Sequence, residues 1–126
     1  MAEEKKTPEV LEEVLKDVSY DVFTSVEIRA GTIIKAEFYA EARKPAHKVW
    51  VDFGPQLGVL QTSAQITVHY QPEELVGKRV MGCVNLGKRQ IGKFMSEFLL
   101  LGFSDENGDI LLAAPDAKTP NGQKLH

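Results

Sequence analysis

VEIRAGTIIKAE, residues 26–37, sets the period of this chain. Val26, Ile28, Ala30, Thr32, Ile34 and Ala36 alternate with Glu27, Arg29, Gly31, Ile33, Lys35 and Glu37, the repeat of two that marks a strand with one buried face. Gly31 in mid-strand predicts a bulge or sharp bend, as a small barrel needs in order to close. Working outward, residues 41–45 read as a polar turn and KVWVDF, 48–53, as a second strand stopped by Gly54-Pro55. Residues 59–64 suit a third strand, 79–86 a fourth and 95–103 a fifth. PEELVG, 72–77, spells a single helical turn between the third and fourth, with proline at its start and glycine at its end. Asn107-Gly108 signals a hairpin that returns through 110–113, and Asn121-Gly122 precedes a possible closing strand at 123–125.

Upstream, Thr7-Pro8-Glu9 suits a helix start, and Val10, Leu11, Val14, Leu15 and Val18 recur at helical spacing, which predicts a short amphipathic helix to about Val18. Five strands with one helical turn between the third and fourth predict an all-β fold. The expectation is a five-stranded oligonucleotide/oligosaccharide-binding (OB-fold) β-barrel with a short N-terminal helix and terminal extensions. The chain divides into an acidic arm over 1–21 and the barrel domain over 22–126.

At 126 residues, 43% hydrophobic and 26% charged, the chain suits one globular domain with its own core. Cys83 is the only cysteine, so no intrachain disulfide forms and a reducing cytoplasm is the expected location. No apolar run approaches membrane-spanning length, so no membrane insertion is expected. The net charge of −3 conceals an asymmetry. Seven acids face three lysines in residues 1–24, whereas residues 75–96 carry Lys78, Arg79, Lys88, Arg89 and Lys93 with no acid at all. Such a local positive field suits a polyanion.

Catalysis is the weaker class. His47, His69 and His126 form no metal-ligand spacing with one another or with Cys83, which lies in an apolar strand. Gly82, Gly87 and Gly92 lack the strand-to-helix setting of a phosphate loop. No enzyme activity, cofactor or metal is expected. Nucleic acid fits better, with positive groups in two clusters, Arg43-Lys44-His47-Lys48 and Lys78-Arg79-Lys88-Arg89-Lys93. Trp50, Phe53, Phe94 and Phe98 fall on apolar positions, which favours core packing over base stacking and a folded RNA over a single strand. Ile33, Phe38 and Tyr39, with the acidic arm, leave protein binding as a further class.

FTSVEIRAGTII (23–34) resembles the opening strand of the tRNA-binding OB domains. Residues 41–54, 63–67, 70–77 and 84–97 are similar to the CsaA family of secretion-related chaperones within that group. Glu97-Phe98, where the wider group often carries Gly-Met, fits the CsaA branch. The resemblance implies a homodimeric OB barrel that binds tRNA and has a possible chaperone role toward unfolded or exported polypeptides. The alternative is a protein-only chaperone with little RNA affinity. Carried over residue by residue, the RNA contacts fall on Asn85 and Ser96 as hydrogen-bonding groups and on Lys88, Arg89 and Lys93 as charges. Arg43, Lys44 and Lys48 extend that positive face.

Overall fold

β1 (Ile28–Phe38) is long enough to be shared between two neighbours, and the sheet is built on it. Its second half pairs with β2 (His47–Asp52) and its first half with β4 (Arg79–Cys83). With β3 (Val59–Ala64) and β7 (Leu99–Leu100) the antiparallel order is β3-β2-β1-β4-β7. The computed structural model describes residues 15–126. Two short hairpins complete the strands: β5 (Arg89–Ile91) with β6 (Phe94–Ser96), and β8 (Gly102–Ser104) with β9 (Ile110–Leu112). The protein is a nearly closed five-stranded OB barrel.

The expected fifth strand, 95–103, is divided into β6, β7 and β8. Each piece bonds to a different partner (β5, β4 and β9), so no one strand axis could serve all three. The bulge in β1 also differs from expectation. It falls between Ile33 and Lys35, not at Gly31, and leaves Ile34 unpaired and 48% exposed while Ile33 is fully buried. The extra residue shifts the alternation, so the interior face runs through Gly31 and Ile33 and resumes at Ala36. Gly31 serves close approach instead: a Cβ there would meet Val51 Cγ1 at 2.5 Å.

Inside the barrel, Ile33, Val49, Val51, Phe53, Ile66, Leu75, Val80 and Phe98 form the core. Phe53 and Phe98 meet edge to face, with centroids 4.9 Å apart. Leu75 plugs the barrel from the one-turn helix α3 (Pro72–Leu75). That turn begins with Pro72 and a capping box in which Glu74 accepts from the Gln71 amide at 2.8 Å. A second turn, α2 (Gly54–Leu57), follows β2 directly. The C-terminal segment runs beside β1: Leu125 N donates to Ile28 O at 2.8 Å and Gly122 N to Ala30 O at 2.7 Å.

The helix expected from Thr7 to Val18 falls largely outside the described residues, and Leu15 to Val18 are not helical. Among the described residues the first helix is a different segment, α1 (Tyr20–Ser25), with the Ser19 hydroxyl accepting from Val22 N at 3.1 Å. Among the described residues, no helix is long and apolar enough to cross a membrane.

Candidate nucleic-acid interface

In an OB barrel, ligands meet the face of the second and third strands, together with the loop after the first strand and the loop before the last. Here the first loop is 39–46 and the second contains the β5–β6 hairpin. The hairpin turns through Gly92-Lys93, and Gly92 has φ +62°, which suits glycine at the first central position of a tight turn. A Cβ at Gly92 would also meet Tyr39 Oη at 2.6 Å.

The two loops are packed together. Tyr39, Ala46 and Phe94 are buried in a small outer core with Ala42, Trp50 and Ile91 against them. Phe94 packs edge-on to Tyr39 and Trp50, both at 5.8 Å, and Tyr39 Oη donates to Ile91 O at 2.7 Å. The hairpin therefore lies on the barrel's outer surface and is not a free loop. Arg43, Lys44, Ile91 and Gly92 line one concavity of about 320 Å³ between them.

Three expected cations are exposed on the hairpin segment: Lys88, Arg89 and Lys93. Lys88 Nζ stands 4.0 Å from Glu97 Oε2, a long pair between an exposed lysine and a half-buried glutamate that carries little energetic weight. Arg43 and Lys44 are exposed in the opposite loop. Lys48 Nζ lies over the rings of Tyr39 at 4.5 Å and Phe94 at 5.2 Å. Lys35, absent from the sequence expectation, occupies the corresponding place over Trp50 at 4.5 Å. Only the β1–β2 register, in which Lys35 faces Trp50, reveals it.

The remaining candidates have structural partners. Ser96 is buried, and its hydroxyl accepts from Ser63 N at 2.9 Å. Asn85 uses both ends of its amide, accepting from Glu27 N at 2.9 Å and donating to Ser25 O at 2.7 Å. Arg79 is engaged with β1 and the C-terminal segment, donating to Thr32 Oγ1 at 2.9 Å, to Asn121 Oδ1 and to Thr119 O. His47 is buried, with Nε2 2.8 Å from Tyr70 O. Cys83 is a buried free thiol.

Two carboxylates elsewhere are electrostatically tuned. Lys124 first, then Arg29, hold the Glu27 carboxyl below its ordinary range; their bonds to it are 2.9 Å and 2.6 Å. His69 Nε2, 2.6 Å from Asp105 Oδ2, is the main cause of the lowered Asp105, with amides of Asp109 and Asn107 adding to it. His69, Asp105 and Asp109 bring one possible ligand atom each within 4.8 Å. No sequence spacing announced this group, because a turn beyond β3 and the β8–β9 turn supply it. Its contacts are those of a strap between these two turns.

Residues 28–124 match the family model described as "Putative tRNA binding domain". The chain belongs to this family. Similar solved structures include the chaperone CsaA of Bacillus anthracis (40% identity, TM-score 0.81), covering 87% of this chain and 99% of that one. The CsaA chaperone protein of Picrophilus torridus has 36% identity and TM-score 0.81, covering 87% of this chain and all of that one. The methionine–tRNA ligase of Chlorobium chlorochromatii is 34% identical over 110 residues, 86% of this chain. The match takes in only 15% of that ligase, so it concerns one module of it.

Proposed function

We propose that this protein is a tRNA-binding module that contacts folded RNA through the β5–β6 hairpin and the β1–β2 loop. One observation carries the reading: exposed cations on two separate loops, Arg43 and Lys44 on one and Lys88, Arg89 and Lys93 on the other, belong to a single packed unit joined through Tyr39, Phe94 and Ile91. A rigid double loop presents its charges at fixed spacing, which suits an RNA backbone recognised by shape. Lys48 would continue the positive track. Asn85 and Ser96 enter as the groups that hold the hairpin at its two ends. In this reading residues 22–126 are the binding domain, 1–21 form a separate arm, and the protein works in the cytoplasm without catalysis.

The CsaA likeness supports two finer proposals. The first is a two-fold homodimer, which would repeat the positive face and span an RNA larger than one domain. The second is a chaperone role toward unfolded or exported polypeptides, for which exposed apolar groups are available: Phe103, 72% exposed, lies opposite the exposed Leu111 on the β8–β9 hairpin. The decisive experiment titrates labelled tRNA and an unfolded polypeptide separately across salt. Steeply salt-dependent tRNA binding is expected. Polypeptide binding with negligible tRNA affinity would replace the first reading with the protein-only chaperone.

A further inference from the structure

The acidic arm joins the folded domain at Asn85, four residues before the basic hairpin begins. Asn85 Nδ2 donates to Ser25 O at 2.7 Å and Asn85 Oδ1 accepts from Glu27 N at 2.9 Å, so the end of α1 is fastened three residues before Lys88. Lys124 holds the same junction from the other side, through Thr24 O and the Glu27 carboxylate. Residues 1–14 precede the described chain and contain Glu3, Glu4, Glu9, Glu12 and Glu13 against Lys5 and Lys6. Asp17 and Asp21, with Lys16 between them and the described start, are exposed and add one further net negative charge toward the anchor. Residues 85–96, just beyond the anchor, hold three cations and no acid.

We infer that the arm is an intramolecular anionic ligand of the β5–β6 hairpin and competes there with RNA. The competition rests on the tRNA-binding reading; the docking itself does not. Reach is sufficient: Leu15 stands no more than roughly 26 Å from Ser25 through residues 16–19 and α1, a chain of fourteen residues can span up to roughly 48 Å, and Lys88 lies within roughly 10 Å of Asn85 along the chain. Attachment to the same chain gives the arm an effective concentration on the order of millimolar at the hairpin. Screening is strong beyond about 10 Å at 0.1 M salt, so the contact is a low-salt state. Leu86, two residues before Lys88, is exposed and offers an apolar surface as well, and the arm's sequence carries Val10, Leu11 and Val14.

The test uses the full chain and a variant with Glu3, Glu4, Glu9, Glu12 and Glu13 each replaced by Gln. Without RNA, backbone amide resonances of residues 86–93 should differ between the two proteins at 50 mM NaCl and converge at 0.5 M. No difference in those amides overturns the docking, whether or not tRNA binds. With tRNA, the variant should bind ~3- to 10-fold more tightly at low salt, the gain vanishing as salt rises. The five substitutions should confer no gain in a protein also carrying Lys88→Ala and Arg89→Ala. A gain that persists there would mean that the arm acts through net charge alone, and would overturn the assignment to the hairpin. Failure of every protein to bind tRNA would refute the competition while the amide comparison still decides the docking.

Discussion

The hydroxyl of Ser96 accepts the backbone N–H of Ser63 at 2.9 Å and so stands in for a main-chain acceptor across the barrel seam. The seam between β3 and residues 96–98 is largely sewn by side chains. Gln61 N donates to Glu97 Oε1 at 3.0 Å and Thr62 Oγ1 to Phe98 O at 2.7 Å, beside one backbone bond from Glu97 N to Gln61 O at 2.8 Å. The hairpin that carries the candidate RNA contacts therefore begins and ends on structural hydrogen bonds. Ser96→Ala would leave the Ser63 amide without its partner. The expected loss is about 1–3 kcal/mol of stability, read as a lower urea midpoint with unchanged m-value.

Glu97 contributes to the same seam and also faces Lys88. Glu97→Gln keeps an acceptor for the Gln61 amide while removing a negative charge from the hairpin. Stability should stay within about 0.5 kcal/mol, and tRNA affinity should rise at low salt. Glu97→Ala should instead lower the melting temperature. Equal melting temperatures for the two variants would show that the Gln61 bond contributes nothing.

Lys88→Ala with Arg89→Ala removes two exposed cations that make no structural hydrogen bond among the described residues. The melting temperature should hold. The slope of log affinity for tRNA against log salt should flatten by about 1–2. Unchanged affinity would exclude this segment as the interface.

Arg79→Ala should do the reverse. Its guanidinium joins β1, through Thr32, to Thr119 and Asn121 of the C-terminal segment. Losing this partly buried network is expected to cost about 2–3 kcal/mol while the salt dependence of tRNA binding stays as in the parent protein. A fall in melting temperature without a change in slope is the outcome to look for.

Acid should loosen the N-terminal clasp. The Glu27 carboxyl titrates below its ordinary range because Lys124 and Arg29 bind its charged form. Its stabilising contribution is then complete at pH above the ordinary carboxylate value, about 4.3. It is lost as pH falls through the depressed folded value. Glu27→Gln should lower stability at pH 7 and reduce the slope of stability against pH below about 4.5. Parallel curves for the two proteins would remove Glu27 from the account.

Much of this protein is local, and local features are legible in one dimension. The repeat of two around Val26–Glu37, the Pro72 turn, the Asn107-Gly108 hairpin and the acid-free stretch around Lys88 depend on residues a few positions apart. They were enough to indicate an OB barrel with a positive loop. Tertiary structure decided which of those residues are free. Arg79 and Arg89 look alike in the sequence, yet one is bonded to residues 40 or more positions away and the other is exposed. Asn85 and Ser96 look like available hydrogen-bonding groups until Ser25, Glu27 and Ser63 are brought to them. One unpaired residue at Ile34 exchanges which isoleucine faces the core, because each strand position alternates faces and a bulge shifts every position after it. Hydrogen-bond partners and strand register arise from contacts between distant segments, so they became fixed only when the barrel closed.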